Sequence, residues 1–253
     1  MDTAKKRARF REMHRQGCFV LANPWDLGGV RRLEKLGFAA LASTSAGLAW
    51  SLGQADNALS LDIVLDHLRT LCAATNLPVN ADFEDGFASS PDEVAANVTL
   101  AVATGVAGLS IEDRSGAALF AEALAVERIR AARSAIDATG EDVLLVARSE
   151  GFLLGRPDLA ATIARLVAYA SAGADVLYAP GITDLAAHAA IVAAVAPKPV
   201  NALLYGPDLS VGDLAGVGVR RVSSGGALAA AAWNGFDRAA RQLLDTGTLP
   251  SRG

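Results

Sequence analysis

Short aliphatic runs alternate along the whole chain with Ala-rich stretches whose apolar positions recur at helical spacing. The runs Phe19–Ala22, Ala39–Ala42, Val79–Asp82, Gly108–Ile111, Val143–Ala147, Val176–Tyr178, Val200–Leu204 and Val219–Ser223 are expected as strands. Helices are expected near residues 27–36, 60–74, 92–104, 122–138, 157–171, 184–196, 209–215 and 227–244. The one near 92 carries a start signal, with Ser90 as cap, Pro91 in the first position and Glu93 completing a capping box. Gly37, Gly105 and Gly173 each precede an aliphatic run and stand 68 residues apart, so each interval holds two strand–helix units. Eight such alternations predict a single (β/α)8 TIM barrel rather than a doubly wound open sheet. No Gly/Ser/Pro-rich linker divides the chain, so residues 1–253 are expected as one domain with an N-terminal helix over about 1–16.

Composition narrows the setting. Of 253 residues, 52% are apolar and 20% charged, which places the chain among globular proteins. A net charge of −4 argues against a nucleic-acid partner. Lys5, Lys6, Arg7, Arg9, Arg11 and Arg15 crowd the first 16 residues against only Asp2 and Glu12. An Arg-rich start is a feature of transit peptides, but a solvated amphipathic helix with Phe10 and Met13 turned inward suits it better. No apolar segment of a secretory signal follows. The longest uncharged run, Leu36 to Ala55, is broken by Ser43, Thr44, Ser45, Ser51 and Gln54 and does not reach the roughly 20 predominantly apolar residues of a membrane span. Cys18 and Cys72 form no CxxC and no disulfide framework, Cys72 reads as packed helix, and a cytoplasmic location without membrane contact is expected.

A barrel of this kind places its chemistry at the C-terminal ends of its strands. Those ends carry Ser43-Thr44-Ser45, Asp82-Phe83-Glu84-Asp85-Gly86, Glu112-Asp113-Arg114, Arg148-Ser149-Glu150, Asn201 and Ser223-Ser224-Gly225-Gly226. Asp82 and Glu84 share a face if the chain stays extended, and Glu112 comes from the neighbouring strand. Three carboxylates meeting at one mouth repel one another unless a cation lies among them. Oxygen donors without Cys or His favour Mg2+, with Mn2+ as alternative, partly through retained water. Arg148 offers a fork for a substrate anion. Asp85 and Asp113 read equally well as loop acids. None of His14, His67 or His188 falls at a strand's C-terminal end, so each is expected as a packed or surface helix residue. The glycines after Ser224 suit a helix N-terminus that could take an anion as well as a tight turn.

Five stretches in chain order resemble the isocitrate lyase / phosphoenolpyruvate mutase family: Ala22-Asn23-Pro24-Trp25-Asp26, Ser51-Leu52-Gly53-Gln54-Ala55-Asp56, Asp82-Phe83-Glu84-Asp85-Gly86-Phe87, Ile111-Glu112-Asp113-Arg114 and Val146-Ala147-Arg148-Ser149-Glu150. The resemblance covers about residues 18–240 and implies a TIM barrel whose last helix is exchanged between subunits of a homodimer or homotetramer. It implies Mg2+ held by Asp82, Glu84 and Glu112, a small 2-oxo or 2-hydroxy carboxylate as substrate, and Arg148 on a substrate anion. Backbone N–H groups of Thr44, Ser45 and Ala46 would cradle an oxyanion, with Asn201 also facing substrate and Asp56 on a loop that closes over the site.

The family's Lys-Lys-Cys-Gly loop, whose Cys donates a proton in the lyases, is missing, which speaks against isocitrate cleavage itself. Ser115-Gly116-Ala117-Ala118-Leu119-Phe120 lacks the Lys and Asn of the phosphonate-handling members. Asp56, favoured, and Tyr178, which stands where some members have His, remain as acid/base candidates. The expected reaction is Mg2+-dependent C–C cleavage through an enolate, by retro-aldol reaction or decarboxylation. A phosphonopyruvate hydrolase or mutase, and a non-catalytic 2-oxo acid binder, are the alternatives.

Overall fold

The computed structural model describes residues 1–204 and 206–251. Eight parallel strands close a barrel: β1 (Phe19–Ala22), β2 (Ala40–Ala42), β3 (Val79–Asp82), β4 (Gly108–Glu112), β5 (Leu144–Arg148), β6 (Val176–Tyr178), β7 (Val200–Leu203) and β8 (Arg221–Ser223). Each pairs with its sequence neighbours, and β8 returns to β1 through Phe19↔Arg221, Val20↔Val222 and Leu21↔Ser223. The helices are α1 (Thr3–Met13), α2 (Leu27–Lys35), α3 (Ser45–Ser51), α4 (Leu61–Ala74), α5 (Pro91–Ala103), α6 (Glu122–Ala138), α7 (Leu159–Ser171), α8 (Leu185–Val195), α9 (Val211–Gly216) and α10 (Ala227–Thr246). None of the described helices is long and apolar enough to cross a membrane.

The alternation therefore predicts the barrel correctly, and the three spaced glycines show why. Each follows a helix C-cap in the left-handed conformation, with φ of 90° at Gly37, 95° at Gly105 and 108° at Gly173, where a side chain would strain the turn back to the next strand. Ser90 caps α5 by accepting from the Glu93 backbone N–H at 3.3 Å, but the Glu93 carboxylate accepts from the Ser90 hydroxyl at 2.7 Å rather than from its backbone N–H, so the cap forms without the reciprocal box. Two elements escape the pattern. The seven-residue α3 follows β2 directly, capped by Thr44, and a short hairpin pairs Arg114–Ser115 with Ala118–Leu119 after β4.

Helix α1 closes the base of the barrel, and it is not simply solvated. Phe10 is fully buried against Leu21, Ala40, Ala42, Ala107 and Leu144, with Met13 packed beside it. Gly108 leaves the room for this: a Cβ there would sit 2.9 Å from the Phe10 ring and 2.8 Å from Asn80 Oδ1. Lys6 and Arg7 are buried as well. Lys6 Nζ donates to the carbonyls of Cys72 (2.9 Å) and Thr75 (2.6 Å) at the end of α4, and Arg7 donates to Val102 O (2.8 Å) and Val106 O (2.9 Å) around the end of α5. Cations suit these positions because the last carbonyls of a helix lack partners and carry its negative pole.

His14 caps α1 with its ring edge-on to Phe10 and Phe19. Burial, then the charge of Arg221, pushes its pKa down to about 3, and burial pushes His67 on α4 down to about 4. The unfolded chain takes up protons near pH 6.5 that these imidazoles refuse while folded, so stability is complete above that pH and falls as pH drops toward 4. The slope is about 1.4 kcal/mol per pH unit for each imidazole. Urea unfolding from pH 7 to 4 is expected to show this loss, and His14→Gln to remove one proton's share of it.

Candidate active site

Alternate residues along the strands face the barrel interior, and at the C-terminal end they deliver the polar cluster. Arg148, the last residue of β5, stands between three acids. Its Nη1 lies 3.3 Å from Asp82 Oδ1 at the end of β3 and 3.5 Å from Glu112 Oε2 at the end of β4, and its Nε donates to Glu150 Oε1. Burial works against the charge on Arg148, but Glu150 and Glu112 outweigh it and hold the guanidinium well above its usual pKa. Asp82 Oδ2 accepts from the Ser45 backbone N–H at 3.0 Å, tying the acid to the start of α3.

Asp82 and Glu84 are not on one extended face, because β3 ends at Asp82 and Glu84 takes a left-handed backbone with φ 46°. Glu84 therefore faces a second cavity of about 200 Å3, shared with Glu112, Arg114 and Asn57. Two other left-handed non-glycine residues, Asn57 and Phe87, line the same cavity, a concentration of backbone strain of the kind found at functional sites. Glu84 Oε1 is buried with no partner among the described residues. Burial, reinforced by Asp82 and Asp56, pushes the Glu84 carboxyl up to about 8, and burial raises Glu112 too. Among the described residues no three such side chains close on one point for direct metal ligation. An orphaned carboxylate oxygen, two carboxyls whose pKa burial raises, and an oxygen-only donor set nevertheless fit a hard divalent cation held partly through water.

The main cavity, about 530 Å3, opens over this cluster between Thr44, Ser45, Asp56, Asp82, Arg148 and Tyr178. Its size suits a small ligand. Asp56 is exposed on the loop after α3, and its carboxylate accepts from the Asn57 N–H. Tyr178 is 7% exposed, its ring 5.3 Å from the Arg148 guanidinium, and burial raises its phenol pKa. Ala46 also lines this cavity, but the Ser45 N–H is already engaged by Asp82.

Three expected positions differ. Asn201 lies below the mouth, 1% exposed, with its amide spent on Arg221 (2.8 Å) and Ser223 (3.1 Å). The N–H groups of Ser224 and Gly225 donate to Asn23 Oδ1 at 3.0 and 2.9 Å, so that turn is satisfied from within and they are not free for an anion. Asp113 is no solvated loop acid. Buried at 4% exposure, it accepts from Tyr169 (2.7 Å), the Glu150 N–H (2.9 Å), Ser149 (3.0 Å) and Arg165 (3.3 Å). Asp85, half-buried, caps the Phe87 N–H at 2.9 Å. His67, His188 and Cys72 lie in helices, and His14 packs at the C-cap of α1.

Residues 10–244 match the family model described as phosphoenolpyruvate phosphomutase. A solved structure from Burkholderia cenocepacia J2315, provisionally described as a lyase/mutase, superposes with a TM-score of 0.94 at 49% identity, covering 98% of this chain and 90% of that one. The 2-methylisocitrate lyase of Escherichia coli is 36% identical over 61% of this chain and 55% of its own length. Oxaloacetate decarboxylase 2 of Pseudomonas fluorescens is 32% identical over 82% of this chain and 73% of its own.

Proposed function

The chain belongs to the phosphoenolpyruvate phosphomutase family and is an enzyme of its carbon–carbon lyase type; from that premise we propose that it cleaves a C–C bond in a small 2-oxo or 2-hydroxy di- or tricarboxylic acid. The observation that carries this is Arg148, a forked cation among strand-end acids at the floor of a cavity of about 530 Å3. Asp82, Glu84 and Glu112 would hold Mg2+, or Mn2+, partly through water. Bound there, the dication would supply positive charge opposite the negative charge that develops on the substrate's oxygens.

The protein's own groups do the rest. Arg148 anchors a substrate carboxylate through its outer N–H groups. The backbone N–H groups of Thr44 and Ala46 face the developing oxyanion, while that of Ser45 stays on Asp82. Asp56, on its exposed loop, accepts the hydroxyl proton as the adjacent C–C bond breaks. The bond's electrons pass to the departing carbon as an enolate, and Tyr178, kept protonated by burial, returns a proton there. In decarboxylation the same enolate forms with loss of CO2, and only the proton return is needed.

The outer face of α10 supports assembly. Phe236 is 64% and Leu244 85% exposed, with Trp233 and Leu243 beside them, too much apolar surface for a lone helix in water. A homodimer or homotetramer with α10 exchanged between copies covers it. The working location is the cytoplasm.

Proton and phosphorus NMR with oxaloacetate, 2-methylisocitrate, isocitrate and phosphonopyruvate, each with Mg2+ and with excess chelator, tests the reaction. Magnesium-dependent loss of one carboxylate is expected. Asp82→Ala is expected to slow it at least about 100-fold while the protein stays folded. Turnover and metal affinity unchanged in that variant would sink the assignment.

A further inference from the structure

Beneath the catalytic mouth lies a feature that this chemistry leaves unused. Arg221, the first residue of β8, points into the barrel and is 2% exposed. Its Nε donates to Asn201 Oδ1 at 2.8 Å and its Nη1 to Asn80 Oδ1 at 3.2 Å. Both acceptors are neutral amides. Among the described residues no acceptor takes its Nη2, and no carboxylate lies within ion-pair distance. The nearest other group able to carry charge at the barrel base, His14, is held neutral by burial and by Arg221 itself.

A guanidinium withdrawn from water without a counter-charge is costly, and hydrogen bonds to amides satisfy its N–H groups without offsetting the charge. Burial lowers its pKa only to about 10, so it remains charged at neutral pH. Beside it is a chamber of about 40 Å3, lined by Arg221, Tyr178, Asn201, Ser223, Asn23 and Ser43 among others. That is about three times the smallest space that admits a water molecule. Asp82, Arg148, Tyr178 and Gly225 line both this chamber and the larger cavity, so the two adjoin at the Asp82–Arg148 pair. Asp82 is the one acid on its wall, and its two oxygens are engaged by Arg148 and the Ser45 N–H.

We propose that this chamber is a binding site for a small inorganic monoanion of chloride size, held by the free N–H groups of Arg221. At about 40 Å3 the chamber is too small for a di- or tricarboxylic substrate. The ion would supply the counter-charge that the fold omits.

Crystals of the wild-type protein grown with bromide in place of chloride, measured at the bromine absorption edge, are expected to show an anomalous peak against the Arg221 guanidinium. Thermal unfolding at constant ionic strength is expected to rise saturably by about 5 °C when chloride replaces gluconate. Arg221→Gln is expected to lose that response, and if this variant does not fold the two wild-type measurements stand alone. No bromide peak, with water filling the chamber, overturns the proposal. A peak without the chloride-specific rise marks an adventitious ion only and overturns it as well.

Discussion

Arg148→Met should lower kcat/KM by about 10²–10³-fold and destabilise the protein by about 3 kcal/mol. Both effects follow from the guanidinium's place among Asp82, Glu112 and Glu150. Without it the substrate loses its anion anchor, and Glu112 and Glu150, 6% and 1% exposed, lose the charge that makes their burial tolerable. For a chain of this size the stability loss corresponds to a fall in Tm of roughly 6–12 °C. Arg148→Lys should lie between wild type and Met, because an ammonium restores the charge but cannot fork between acids on different strands. Steady-state kinetics with saturating Mg2+, paired with thermal unfolding, separate the two effects. A Met variant of undiminished turnover would remove Arg148 from substrate binding.

Asp113→Asn should be the most damaging substitution outside the mouth. Its carboxylate receives four donors, from Ser149, the Glu150 backbone, Tyr169 and Arg165. An asparagine turns an N–H2 toward groups that are themselves donors, leaving at least one buried donor unpaired, at about 2–4 kcal/mol. The damage reaches the site because the Ser149–Glu150 backbone pinned by Asp113 directly follows Arg148. Amide hydrogen exchange is expected to quicken at residues 148–151 before the helices are affected. Exchange that quickens evenly across the chain would show a purely global loss of stability.

The features legible in the sequence share a physical basis: they depend on neighbours in the chain. Aliphatic runs mark strands because both faces are covered. The glycines at 37, 105 and 173 mark turns because only a left-handed residue reverses a helix there. Strand-end acids mark the mouth because parallel strands all finish at one end of the barrel. What escaped depends on partners far away. Asn201 is the second residue of β7 rather than its end, and it binds Arg221 inside the barrel. Asp113 looks like any loop acid until Tyr169 and Arg165, 56 and 52 residues on, are folded against it. Arg221 and Asn80 go unremarked because an Arg beside a second Arg reads as a solvent-facing pair, and only the closed barrel turns one of them inward. The hairpin after β4 leaves just a Ser-Gly signal, and α3 only a Thr cap before seven small and apolar residues.

The sealed barrel base has a consequence for the order in which the chain can fold. Helix α1 is made first, yet its partners come late. Lys6 reaches carbonyls 66 and 69 residues downstream, Arg7 one 99 residues downstream, and Arg11 carboxylates 131 and 164 residues downstream. On a growing chain this helix must wait, with its cations in water, until the sixth strand is about to emerge. Its docking then records that five of the eight strands are in place, and an N-terminus that stays loose identifies a nascent barrel not yet able to close.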